Sequence, residues 1–144
     1  MGLWGGMRSL LFHCQDFGST ITGLATRPKT IVPAEVSSKT QSVKDCVLVF
    51  VTLEKGDTKE KAHSLAKEII KFCEETKHMN VFLCPFAHLS NNLASSKEAT
   101  EILREIVSKM GESDVVLTEG HFGSDKELLI HLYGHPGNAR YREF

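Results

Sequence analysis

The chain has 144 residues and a mass of 16.0 kDa, with 41% hydrophobic and 24% charged residues. This is the size and balance of a single globular domain whose core closes without disulfides or metals, and it excludes a disordered tail, a collagen-like fibre and a small stapled secreted scaffold. A net charge of −1, from 17 basic and 18 acidic residues, also excludes a protein that coats nucleic acid through many phosphate contacts.

The charge is unevenly spread: residues 1–44 carry five basic and two acidic side chains, and the other hundred carry twelve and sixteen. Any RNA contact is therefore expected to be local, such as a strand end entering a pocket. Cys14, Cys46, Cys73 and Cys84 lack C-x-x-C spacing and lie in apolar stretches, as buried reduced thiols do, so a reducing, cytoplasmic setting is expected. No segment approaches the roughly 20 apolar residues of a membrane span, and the start, Met1–Gly6, lacks the basic and apolar blocks of a secretory signal.

In chain order, Met1–Gly6 is Gly-rich and expected to be a loose extension, and Met7–Cys14 reads as a first strand around Leu10-Leu11-Phe12. Residues 16–44 hold Gly18, Gly23, Pro28, Pro33 and many Ser and Thr, which predicts turns with one poor hairpin at most. Cys46–Leu53 is a continuous β-branched run, the pattern of a strand buried on both faces. Gly56 breaks it, and Asp57-Thr58-Lys59-Glu60 has capping-box spacing. Ala62, Leu65, Ala66, Ile69, Ile70 and Cys73 then form one helical stripe opposite a charged, solvent-facing side.

Asn80–Cys84 is a second buried strand, stopped by Pro85. Ser95 to Glu98 opens a second helix with the stripe Ala99, Ile102, Leu103, Ile106, Val107 and Met110, and Gly111 suits its C′ position. Val115–Thr118 and Leu128–Leu132 are further strands, and Gly134–Gly137 is a turn. Two strand–helix–strand units followed by closely spaced strands predict an α/β sandwich with a mixed β-sheet and two main helices packed on it.

Three places could carry chemistry. Pro85-Phe86-Ala87-His88-Leu89-Ser90 follows a buried strand, at the end where α/β sheets bind ligands. Pro85 should end the ladder and leave backbone groups to find other partners, and His88 adds an imidazole, the side-chain type suited to proton transfer; a structural histidine at a helix start is the plainer alternative. In Phe122-Gly123-Ser124-Asp125-Lys126 the glycine allows close backbone approach and Lys126 could point into a crevice, although a lysine at a strand start is usually solvated. A zinc site built from His121, His131 and His135 is disfavoured, because Pro136 keeps His135 out of a helix and no H-E-x-x-H pattern is present. The G-x-S-x-G, P-loop and G-x-G-x-x-G motifs are absent as well.

Met7–His13, V-L-V-F-V-T-L-E-K at 47–55, N-V-F-L-C-P-F-A-H-L-S-N-N-L at 80–93, Phe122-Gly123 with Lys126, and Gly134-His135-Pro136 stand in an order that resembles the archaeal N-terminal editing domain of threonyl-tRNA synthetase. The resemblance runs from Met7 to about Arg142, and V-F-L-C-P-F-A-H-L-S is its specific part. It implies a D-aminoacyl-tRNA deacylase-like fold and hydrolysis of the ester that wrongly joins L-serine to the 3′-terminal adenosine of tRNA(Thr), with help from the ribose 2′-hydroxyl and no cofactor. It also implies a homodimer and a synthetase catalytic domain, fused or acting in trans.

Residue by residue, the resemblance implies that Pro85, Phe86, Ala87 and His88 hold the aminoacyl group, with His88 orienting substrate or its ribose hydroxyl. Leu53 and Glu54 form the facing wall and bind the amine, Phe122 and Gly123 flank the adenosine, and Lys126 stands near the attacking water. Asp125 occupies a position that is often aromatic in the family, and Gly137-Asn138-Ala139-Arg140 lacks an acidic residue often found there, so the carboxylate role is either absent or filled by Asp125. D-aminoacyl-tRNA deacylation, whose family carries a Ser-Gln-x-x-Thr segment not found here, and non-catalytic binding of a tRNA end are the competing readings.

Overall fold

The computed structural model of the chain describes residues 6–27, 29 and 31–144. Six strands and two helices follow one another as β1 (Arg8–Leu24), β2 (Thr40–Thr52), α1 (Lys59–Thr76), β3 (Asn80–Pro85), α2 (Ser96–Met110), β4 (Val116–Glu119), β5 (Ser124–Leu132) and β6 (Ala139–Glu143). They form one mixed sheet in the order β4-β3-β2-β1-β5, with β6 also paired to β1. β2, β3 and β4 run parallel, whereas β1 is antiparallel to β2, β5 and β6. The expected mixed sheet with two helices is thus observed.

Each helix forms for the reason its sequence suggests. In α1 the cap is Thr58, whose hydroxyl accepts from Lys61 N–H at 3.3 Å. In α2 the Ser95 hydroxyl accepts from Glu98 N–H at 3.1 Å and donates to the Glu98 carboxylate at 3.0 Å. Gly111 does not take the left-handed C′ conformation expected of it: it stays right-handed at φ −63°, and its N–H closes the helix on Val107 O at 2.9 Å. The two stripes pack on one face of the sheet, where Leu65, Ala66, Ile69, Leu103 and Ile106 bury against Leu11, Val47, Val49, Val81 and Leu83. Each fully buried aliphatic or aromatic side chain there contributes roughly 1.5–3 kcal/mol.

The opposite face is covered by the sheet itself, which corrects the reading of residues 16–44 as turns. β1 continues to Leu24 and β2 starts at Thr40, so residues 16–24 and 40–44 are the two arms of a long hairpin. The pairing of β1 with β5 shifts register between Cys14 and Asp16, the place where a bulge bends a strand. Beyond it the strand curls over the outer face, setting the Phe17 ring 4.5 Å from Phe82 and bringing the Gln41 amide to donate to Glu119 O at 2.8 Å. Phe17, Leu48, Phe50, Phe82 and the thiols of Cys14, Cys46 and Cys84 fill this second core. All four cysteines are free and buried. The expectation of a loose start falls mostly on residues 1–5, outside the described residues; Gly6 N–H donates to the Glu54 carboxylate and Met7 N–H to Asp57 at 2.9 Å. Among the described residues no helix is long and apolar enough to cross a membrane.

The histidines weighed as zinc ligands lie apart. His121 bonds Ser124 Oγ at 2.7 Å and Ala34 O at 2.8 Å, His131 is exposed on β5, and His135 lies at the far end of the sheet. There His13 joins His135 at 2.7 Å and His78 at 2.8 Å through its two ring nitrogens, beside the Tyr133 ring, whose hydroxyl donates to Asp45. Nitrogens at hydrogen-bond distance leave no room for an ion between them, so this is a chain of imidazoles.

Burial, reinforced by His78 and His135, lowers the His13 pKa below its ordinary 6.5, and Asp45 only partly opposes this. The unfolded chain therefore takes up the proton first, so this stability is present above about pH 6.5 and is lost as pH falls toward the lowered folded value. The urea midpoint is expected to drop between pH 7.5 and 5.5, and His13→Gln to flatten that dependence; an unchanged slope in the variant would assign it to other groups.

Candidate functional site

A cleft of about 870 Å³ opens beyond the carboxyl ends of β2 and β3, the position at which open α/β sheets place their ligands. Leu53 comes from the end of β2, Pro85, Phe86, Ala87 and His88 from the segment after β3, Phe122 and Gly123 from the β4–β5 loop, and Asp125 and Lys126 from the start of β5. Nine of the ten residues singled out in the sequence therefore line one cavity. The tenth, Glu54, does not: its side chain is 3% exposed and its carboxylate is occupied by the Ser90 hydroxyl, the Gly6 N–H and Arg8.

Pro85 does not end the ladder as the sequence suggested. It pairs with Val51, Phe86 N–H still donates to Val51 O at 2.9 Å, and Phe86 O accepts from the Thr52 hydroxyl. The free stretch begins one residue later. Among the described residues, Ala87 and His88 donate their N–H groups to no protein acceptor. Both residues are exposed, and the His88 ring meets Phe86 edge-on at 4.9 Å. These two amides are the available donors for a ligand oxygen at this wall.

Lys126 is half-buried, and its Nζ donates to Ser124 O at 3.2 Å. Burial lowers its pKa, with Cys84 and Asp125 acting in the opposite sense. Burial pushes the neighbouring Cys84 thiol up to about 11, so it is a neutral wall atom near pH 7. Burial also raises the Glu54 carboxyl, but the Ser90 hydroxyl, Gly6 N–H and Arg8 together outweigh it and hold the group below the usual carboxylate range.

The roof of the cleft comes from the segment between β1 and β2, which pattern reading left without a role. Ala25 N–H donates to Gly123 O and Ala34 N–H to Phe122 O, both at 2.9 Å, and His121 bonds Ala34 O. Gly123 is at φ +89°, and a Cβ there would lie 2.6 Å from Pro33 Cα. Arg27, Ile31 and Lys55 also line the cavity. Arg27 and Ile31 carry no motif; Lys55 falls at the end of the 47–55 stretch that carries the family resemblance, and the Ser95 cap, which lines the cavity beside Ala94 and Ser96, marked a helix start.

Residues 7–144 match the family model described as the archaea-specific editing domain of threonyl-tRNA synthetase. A threonine–tRNA ligase of Staphylothermus marinus is 29% identical over 90% of the chain, which corresponds to 21% of that protein. A threonine–tRNA ligase editing subunit of Saccharolobus solfataricus is 32% identical over 88% of the chain and 32% of its own length. The chain thus spans between a fifth and a third of these relatives. A solved structure titled c-Myc DNA unwinding element binding protein superposes with a TM-score of 0.66 at 11% identity, covering 95% of this chain and 98% of its own. That likeness concerns the fold alone.

Proposed function

The chain belongs to the archaea-specific editing domain family of threonyl-tRNA synthetase, and from that premise we propose that its cleft hydrolyses L-seryl-tRNA(Thr), releasing serine and tRNA with a free 3′-hydroxyl. A synthetic site for threonine cannot strongly reject serine, since one missing methyl is worth only about 1–3 kcal/mol, so a second, smaller sieve is required. The observation that carries this reading is the convergence of nine residues, from three separate segments, on one cavity.

In this reading water attacks the ester carbonyl carbon and the bond to the ribose 3′ oxygen breaks. The unpartnered amides of Ala87 and His88 face the aminoacyl oxygens, Phe122 and Gly123 flank the adenine, and Lys126 stands beside the water with the ribose 2′-hydroxyl. Asp125 supplies the carboxylate at the opening. Leu53 forms the facing wall, and with the Glu54 carboxylate occupied, the substrate amine falls to the main-chain carbonyl of Leu53, which accepts only Ala94 N–H and keeps a lone pair. The synthetase that supplies the mischarged tRNA is joined in cis or acts in trans. The exposed Leu129 (63%) and Ile130 (41%) of β5 are covered by a second copy, which a monomer mass in light scattering would contradict.

The domain alone is expected to deacylate seryl-tRNA(Thr) at least about 100-fold faster than threonyl-tRNA(Thr), the upper range for discrimination by one methyl. Single-turnover deacylation of both esters measures it. Equal rates would remove the reading, and cleavage of D-tyrosyl-tRNA instead would move the chain to chiral proofreading.

A further inference from the structure

We propose that Arg8, Glu54 and Ser90 form a positioning strut that fixes the segment after β3, so that Glu54 serves the reaction by placing His88 and its backbone. The inference rests on the hydrolytic reading of the cleft. Glu54 is the one charged side chain of the Leu53–Lys55 turn that is buried. Its carboxylate takes the Ser90 hydroxyl, and Arg8 Nε lies 3.4 Å from the same Oε2 without hydrogen-bond alignment. Arg8 also reaches the loop directly, donating from Nη1 to Leu89 O at 3.2 Å. The Ser90 hydroxyl is held from both sides, because it accepts Asn92 N–H at 2.9 Å while its one proton is donated to Glu54.

Beyond that point the loop is stitched back onto the same turn. Lys55 N–H donates to Asn92 O at 3.1 Å, Ala94 N–H donates to Leu53 O at 3.0 Å, and Glu54 pairs with Leu93. On its other side the segment is held by the Phe86–Val51 bond. His88 and the free amides of Ala87 and His88 therefore hang between two anchors. The ionic anchor holds Leu89 and Ser90, the two residues that directly follow His88.

A buried ion pair is weak evidence for a stabilising role, because a well-packed apolar group of similar volume often does as well or better. Geometric control of a reactive loop explains the retained charge, since a displacement of about 1 Å can cost roughly 100-fold in rate. Arg8 and Glu54 lie outside the cleft lining, so their effect is expected in turnover and not in substrate contact.

The test compares Ser90→Ala, Ser90→Thr and Glu54→Gln with wild type on seryl-tRNA(Thr) and on a seryl-adenosine ester, and follows backbone amide exchange. Ser90→Ala is expected to lower kcat about 10-fold with KM within about two-fold on both substrates. It should speed exchange at residues 88–92 while β2 and β3 stay protected. Ser90→Thr, which keeps the hydroxyl, should restore kcat, and Glu54→Gln should lower it at least as far as Ser90→Ala. Unchanged kcat and unchanged exchange in Ser90→Ala would overturn the strut, as would a loss confined to KM. Inactivity of the wild type on both esters would instead overturn the hydrolytic reading, and the exchange pattern alone would then decide whether the strut holds the loop.

Discussion

Replacing Lys126 with alanine is expected to lower kcat on seryl-tRNA(Thr) by about 100-fold, close to 2.7 kcal/mol of barrier, with KM within about two-fold. Among the described lining residues Lys126 is the one half-buried lysine; it is the third residue of β5 and lines the same cavity as Ala87 and His88. Its surroundings lower its pKa, chiefly by burial. The neutral amine is thereby populated closer to physiological pH than on a solvated lysine. If that amine takes a proton from the attacking water, kcat rises with pH up to the lowered pKa and levels off above it. The alanine variant should lack that limb. A variant with wild-type kcat would transfer the chemistry to the RNA, with the ribose 2′-hydroxyl as the group that orients water.

The parts of the fold that announce themselves in the sequence are those whose burial is periodic and local. The β-branched run of β2, the α1 and α2 stripes and the Thr58 and Ser95 caps depend on neighbours within a few residues. The second half of β1 and the first half of β2 do not. Gly18, Gly23 and a Ser/Thr-rich stretch lack apolar density, and they are strands because each edge pairs with another: Asp16 to Thr20 with β2 over five registers, and Asp16 to Leu24 with β5 on the other side. β6, Ala-Arg-Tyr-Arg-Glu, is short and polar, and it is defined by the free edge of β1 from Arg8 to Phe12.

The cleft divides in the same way. Pro85 to His88 and Phe122 to Lys126 stand out because the order of motifs marks them, and the structure brings them together. The role of Glu54 as an amine ligand is one that the family resemblance implies. The actual partners of Glu54 lie 36 to 48 residues away in sequence, and no local pattern records such pairings. The roof between β1 and β2 is similarly silent, since backbone bonds to Phe122 and Gly123 hold it in place of a hydrophobic stripe.

That roof supplies the second large effect. Gly123→Ala is expected to destabilise the domain by about 2–3 kcal/mol, lowering Tm by roughly 5–10 °C, and to raise KM several-fold. The left-handed backbone at φ +89° strains any side chain, and the new Cβ would also meet Pro33 Cα at 2.6 Å and Pro33 Cβ at 3.0 Å. The first of these is main chain and cannot rotate aside. Relief requires the segment around Pro33 to lift, which pulls on Ala34 N–H to Phe122 O and on Ala25 N–H to Gly123 O, the two bonds that hold the roof over the Phe122–Gly123 side of the cleft. Gly134→Ala is the control: a Cβ there meets nothing within 4 Å, and its expected change is within about 0.5 kcal/mol. Calorimetry and deacylation kinetics on both variants separate the outcomes. If Gly123→Ala melts with wild type and keeps its KM, the close approach of Gly123 to Pro33 does not shape the site.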